Sequence, residues 1–149
     1  MPITECSNTD VVCCEAGSTL VEVAALMRKH HVGDVVVTEE RKGVRVPVGI
    51  VTDRDIVVET IAEQVDANAF TAGDLMATPV ATVAEEAGLV EALRLMRKHK
   101  VRRLPVVAQS GALTGIVAAD DLINLLATEL SMVTDAIAMQ PVKEARLRR

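Results

Sequence analysis

Apolar positions along this chain follow two periods in alternation, and the alternation occurs twice. Leu20, Val23, Ala24 and Met27 stand at i, i+3, i+4 and i+7, which predicts an amphipathic helix from Ser18 or Thr19 to about His31. Arg28, Lys29, His30 and His31 crowd its last turn, where cations complement the helix dipole. A short apolar run, Val11 to Cys14, precedes it. Two β-rich runs, Asp34 to Thr38 and Val46 to Val51, follow on either side of a charged loop. A second helix is expected from near Asp53 to about Gln64. The same order then returns: strand Val80 to Val83, helix Leu89 to Lys100, strands Arg103 to Val107 and Leu113 to Val117, and helix Ala119 to Leu130. Between the copies, residues 66–79 contain a short helical stretch at Thr71 to Met76. The tail is expected to stay helical to about Gln140, where Pro141 interrupts it. Its basic end (Lys143, Arg146, Arg148, Arg149) reads as a frayed, solvated terminus.

The duplication is literal. From Leu20 to Val32, nine of 13 positions recur at an offset of 69 in Leu89 to Val101. Gly49-Ile50-Val51 and Asp55 recur at an offset of 66 in Gly115-Ile116-Val117 and Asp121. The three-residue change implies a longer loop in the first copy, around Glu39 to Val46. A duplicated α/β unit of this size implies a pseudo-twofold pair, with binding sites in the cleft between the copies. The boundaries fall at residues 1–66 for the first repeat and 67–130 for the second, whose leading 67–79 is a linker. Residues 131–149 form the helical and basic tail.

Composition narrows the function. Half of the 149 residues are hydrophobic, yet there is one Phe and no Tyr or Trp. Stacking platforms for single-stranded nucleic acid are missing, and a net charge of −5 argues further against nucleic acid as a partner. No apolar run looks long enough to cross a membrane. The N-terminal residues lack the basic and apolar regions of a secretory signal, so a cytoplasmic setting is expected. Three cysteines show no zinc spacing and read as reduced thiols. No cation flanks Cys13 and Cys14 in sequence, so burial is expected rather than redox sensing. The histidines His30, His31 and His99 sit at helix ends, read as dipole partners rather than metal ligands. Enzyme motifs are absent: no Gly-x-Ser-x-Gly, no His-Glu-x-x-His and no phosphate-loop lysine motif.

Chemistry concentrates in Gly49-Ile50-Val51-Thr52-Asp53-Arg54-Asp55, where a strand passes into a helix. One reading is structural: Thr52 and Asp55 form a capping box, contributing about 0.5–2 kcal/mol. The other is functional. A helix N-terminus offers free N–H groups to a phosphate, and a carboxylate one turn in accepts both hydroxyls of a ribose. The segment alone leaves both open.

Taken with Val101-Arg102-Arg103-Leu104-Pro105-Val106-Val107 and the linker Asp74-Leu75-Met76 before Pro79-Val80, the chain resembles a tandem CBS-domain pair, or Bateman module, of the small stand-alone bacterial kind. That resemblance implies an α/β (α+β) fold of two β-α-β-β-α repeats packed sheet to sheet. It implies an adenosine-containing regulatory ligand such as AMP, ADP or ATP between the copies, and a homodimer signalling to an effector protein. By the family pattern Asp55 holds the ribose, Thr52 meets phosphate or ribose, and Arg102 and Arg103 contact phosphate. Adenine lies against Val11, Cys13, Val35, Val80 and Leu104. Asp121 is expected to hold a ribose in the second cleft, where Ala118 replaces the threonine and Asp34 repels phosphate. One competent site and one weakened or altered site are therefore expected. The alternative is a non-catalytic homodimeric scaffold with empty clefts.

Overall fold

The computed structural model describes residues 2–148. Two three-stranded sheets lie one in each half. In the first, β1 (Cys13–Cys14) runs parallel to β2 (Asp34–Arg41), which pairs antiparallel with β3 (Val44–Thr52). In the second, β4 (Val83–Ala84) runs parallel to β5 (Arg103–Val107), which pairs antiparallel with β6 (Leu113–Ala118). The first strands are two residues long, shorter than the apolar runs predicted at Val11 and Val80.

α1 (Leu20–His30) forms where the periodicity places it. Thr19 caps it and closes a capping box with Glu22, so two otherwise orphan N–H groups find partners. His31 ends it in the left-handed region, with φ 54°. After β3 comes α2 (Asp53–Ile56), which widens into a π-helical turn at Val57–Ile61. The linker contributes α3 (Ala72–Leu75). α4 (Leu89–His99) repeats α1, and Lys100 ends it with φ 55°, a backbone copy of His31. α5 (Ala119–Leu147) closes the described chain.

Two expectations are corrected here. Glu39 to Val46 is not a loop: β2 and β3 extend through it and turn at Lys42-Gly43 (φ 51° and 80°), a two-residue hairpin suited to strand twist. Pro141 does not end the last helix, which runs through it to Leu147. Proline has no N–H to bond the Ile137 carbonyl, so the helix passes Pro141 with one backbone bond fewer. With these residues in one helix, α5 is also long and apolar enough to cross a membrane by length and composition. Its best 18-residue window has a mean hydropathy of 1.4. Scattered polar residues such as Glu129 and Asp135 had hidden this, because they interrupt every consecutive apolar run.

Each half has its own core. Val23, Met27, Val35, Val37 and Val51 fill the first, and Ala92, Met96, Leu104, Val106, Val117 and Leu122 the second. The leading segments are exchanged between the halves. Ile3 is fully buried in the second core, donates its N–H to the Ala87 carbonyl at 2.8 Å, and is followed by Asn8 pairing with Ile116. Reciprocally, Ala72 is buried in the first core, and Ala77 pairs with Ile50. These bridges are equivalent under the sequence offsets, so the pseudo-twofold relation extends to the arms that join the halves.

Candidate functional site

The arms, strand ends and helix starts meet in a cleft of about 250 Å³. One wall comes from the first half: Asp10, Val11, Val12 and the turn His31 to Asp34. The other comes from the second: Arg103, Ile116, Ala118, Asp120 and Asp121. The volume is close to the ~300 Å³ lower end of ordinary ligand pockets. The same offsets applied to these residues give a counterpart set: Val80, Lys100, Arg102, Ile50, Thr52, Arg54 and Asp55.

Glycine lets the arms approach. A Cβ on Gly49 would fall 2.6 Å from the Met76 Sδ and 2.7 Å from its Cβ, and one on Gly115 would lie 3.1 Å from the Asn8 carbonyl oxygen. Both are the first residue of the repeated Gly-Ile-Val segment, so the motif glycine admits the partner half's arm.

Thr52 and Asp55 form the capping box. The Thr52 N–H donates to the Asp55 carboxylate at 3.0 Å, and the Asp55 N–H donates to the Thr52 hydroxyl oxygen at 3.1 Å. Both residues are half-buried. One carboxylate oxygen and the hydroxyl hydrogen are left over from the box, so capping and ligand binding are compatible at the same pair. In the second half Ala118 has the same backbone shape, φ −108° and ψ 149° against −104° and 159° for Thr52, but no hydroxyl. Ala118→Thr should therefore restore the cap, adding about 1 kcal/mol and raising the melting midpoint by roughly 2–4 °C. A midpoint unchanged or lowered in a thermal melt would contradict this.

The arginines are engaged. Arg103 pairs with Asp34, Nε to carboxylate oxygen 3.0 Å, and Arg102 donates to Asp120 at 2.8 Å. Asp34 and Arg103 are each other's equivalents at offset 69, so this ion pair lies across the pseudo-twofold relation and ties the halves together. Asp34 is only 8% exposed. Burial raises its carboxyl above the usual range, against the opposing pull of Arg103, with Asp53 adding to the rise. Both guanidiniums, expected from the family pattern to contact phosphate, are paired with carboxylates here. The Arg102–Asp120 pair is well exposed, and such pairs exchange partners at little cost.

The remaining predicted contacts divide. Val11 lines the cleft with Arg103 and Asp121. Val80, its equivalent, is half-buried in the second arm. Val35 and Leu104 are fully buried in the two cores, so their side chains support the cleft from behind rather than face it. Cys13 is half-buried, and Arg45 is the cation that the flanking sequence did not reveal. Burial nevertheless raises the Cys13 thiol, and pushes Cys14 up to about 11, so neither is a ready thiolate. Cleft residues missed in the sequence (Asn8, Asp10, His31, Gly33) belong to the exchanged arm and the α1–β2 turn.

The two sets of positions differ in charge. By the sequence offsets, Lys100, Arg102 and Arg54 fall in the same set as Asp55, although Arg102 is bonded to Asp120 of the other set. Their equivalents in the other are His31, Gly33 and Asp120, with Asp10 and Asp121 adding two more carboxylates. Among the described residues, no group of three or more His, Cys, Asp or Glu has a geometry that would hold a metal ion.

The fold is a tandem pair of duplicated α/β halves with a cleft between them. The CBS domain matches twice, over residues 3–60 and 72–128, and the chain belongs to the CBS domain family as a tandem pair. Uncharacterized protein MK0525 of Methanopyrus kandleri is 36% identical over 121 residues, 81% of this chain but 60% of that protein's length. Hypoxic response protein 1 of Mycobacterium tuberculosis is 35% identical over 115 residues, covering 77% of this chain and 78% of that one. The crystal structure of Hypoxic Response Protein I, with two coordinated zinc ions, superposes with a TM-score of 0.72 over 83% of this chain and 98% of its own. CBS domain protein PAE2072 of Pyrobaculum aerophilum, complexed with AMP, superposes with a TM-score of 0.73 at 28% identity, over 86% of this chain and 99% of its own.

Proposed function

We propose that this chain is a non-catalytic, cytoplasmic regulatory module that binds an adenine nucleotide in the cleft set of Thr52 and Asp55. The carrying observation is the residual bonding capacity of that pair. After the capping box is closed, it retains a carboxylate oxygen for a ribose and a hydroxyl for a phosphate. Lys100, Arg102 and Arg54 surround the equivalent positions, and positive charge at a helix start favours phosphate. The AMP complex of PAE2072 supports the ligand class.

The acidic cleft takes a different role in this reading. With Asp120 paired to Arg102 and Arg103 to Asp34, Asp10 and Asp121 are the carboxylates left to oppose a phosphate, so Asp121 holds at most an uncharged or cationic adenosyl group there. Binding changes how the halves, or two chains, pack, and an effector protein reads the difference. A ligand shifts such an equilibrium only by its differential affinity for the two states.

A melting-shift panel with AMP, ADP, ATP and adenosine tests the reading. At 100 times its Kd, a ligand of the folded state stabilises by about 2.7 kcal/mol, a rise of roughly 5–10 °C. Phosphorylated ligands should shift the midpoint more than adenosine. A flat response to all four at millimolar concentration would favour the second reading, a scaffold with empty clefts, which the pairing of both arginines with acids supports.

A further inference from the structure

The duplicated helices α1 and α4 share a length and an ending, yet they differ in charge. Both run 11 residues and stop at a left-handed residue, His31 with φ 54° and Lys100 with φ 55°. Both carry Arg-Lys-His in the last turn, where cations complement the helix dipole. The second copy adds more than that shared need. Arg94, Lys100, Arg102 and Arg103 stand where the first copy has Ala25, His31, Gly33 and Asp34. Six of the ten residues from Arg94 to Arg103 are therefore Lys or Arg, in a chain whose net charge is −5. The first copy builds the same helix and the same turn without these charges, so the fold does not require them.

Nor are most of them neutralised. Arg102 and Arg103 are taken up by Asp120 and Asp34. Arg94, Arg97, Lys98 and Lys100 are exposed, and none of them forms an ion pair among the described residues. The first three stand at i, i+3 and i+4 on one side of α4, opposite Ala92 and Met96, which are buried in the second core. Like charges at those spacings repel one another. An opposing charge from outside would relieve that repulsion.

We propose that this face of α4 is a docking surface for an acidic segment of a partner protein. Arg94 to Lys100 covers ~9 Å of helix axis. With side-chain reach at both ends, the patch matches the length of about four or five extended residues, at ~3.3 Å each. Glu91, in the first turn of α4, and Glu85 and Glu86 ahead of it bound the patch on its other side. A duplex nucleic acid fits worse. Its interfaces bury roughly 1,000–2,500 Å², and a contact of that size would carry phosphates over Glu85, Glu86 and Glu91. A single strand would find no Tyr or Trp on which to stack.

Fluorescence anisotropy with fluorescein-labelled decaglutamate tests the proposal on the full chain without nucleotide, so the outcome is independent of how the cleft is filled. The variant is Arg94→Gln/Arg97→Gln/Lys98→Gln. Lys42→Gln/Arg45→Gln/Lys143→Gln is the control, because it removes the same charge from exposed positions elsewhere. At low ionic strength the parent and the control should bind the peptide alike, and the α4 variant about 10-fold more weakly. Added salt should weaken the parent's binding, since exposed charges are screened. Removing like charges should leave the α4 variant's melting midpoint at or above the parent's, which separates lost docking from lost folding. A parent that does not bind, an α4 variant that binds as the parent does, or an equal loss in the control would each overturn the proposal. Tighter binding of short duplex DNA than of the peptide, lost in the same variant, would assign the face to nucleic acid and overturn it too.

Discussion

Asp55→Asn should weaken adenosine and AMP binding about 10- to 100-fold while leaving the protein folded. The substitution separates the two jobs of this residue. An amide oxygen still accepts the Thr52 N–H, which the Asp55 carboxylate now accepts at 3.0 Å, so the cap survives. The other oxygen becomes an NH₂ group, which cannot accept a ribose hydroxyl. Asp55→Ala would remove both functions, and its loss of binding would be harder to read because the missing cap alone costs about 0.5–2 kcal/mol. Calorimetry on the Asn variant, with a thermal melt beside it, checks the point. Parental affinity in that variant would place the ribose elsewhere.

Gly49→Ala should be the most damaging single methyl in the chain. The added Cβ would fall 2.6–2.7 Å from three atoms of Met76, one of them the Met76 Cβ, which cannot swing aside without moving the linker. Overpacking of this kind costs about 1–3 kcal/mol, a fall of roughly 3–10 °C in the melting midpoint. It also strikes the bridge between Ile50 and Ala77 that closes the arm beside the Thr52–Asp55 helix start. Gly17→Ala is the control, because nothing lies within 4 Å of a Cβ there. Equal midpoints for the two variants would show that the linker is not clamped on Gly49.

Much of this architecture was legible because duplication doubles every signal. The helix over Leu20–His30 was visible from its apolar spacing, its Thr19 cap and its basic last turn, and the copy at Leu89–His99 confirmed the pattern. What stayed hidden depends on contacts between segments far apart in sequence. The exchange of arms follows from Ile3 finding a hole in the distant core, and no local pattern encodes that. The hairpin through Lys42-Gly43 was misread as a loop because its strands carry charges on an exposed edge. The pairing of Arg103 with Asp34 was overlooked although the two are repeat equivalents of opposite charge, which is itself the signal that a twofold-related contact can form. Thr52 and Asp55 were visible as a pair. Whether they cap or bind was not, and the geometry indicates that capping leaves enough of both groups for a ligand.

Calorimetric titration of AMP into the freshly purified full chain tests the central claim most directly. With no Trp or Tyr in the sequence, absorbance near 260 nm first reports any adenine carried through purification, so the starting occupancy is known. One saturable site per chain, weakened when adenosine replaces AMP, is the result expected from one phosphate-holding cleft and one acidic one. No heat with either ligand, from protein free of bound nucleotide, would contradict the sensor reading and leave the scaffold.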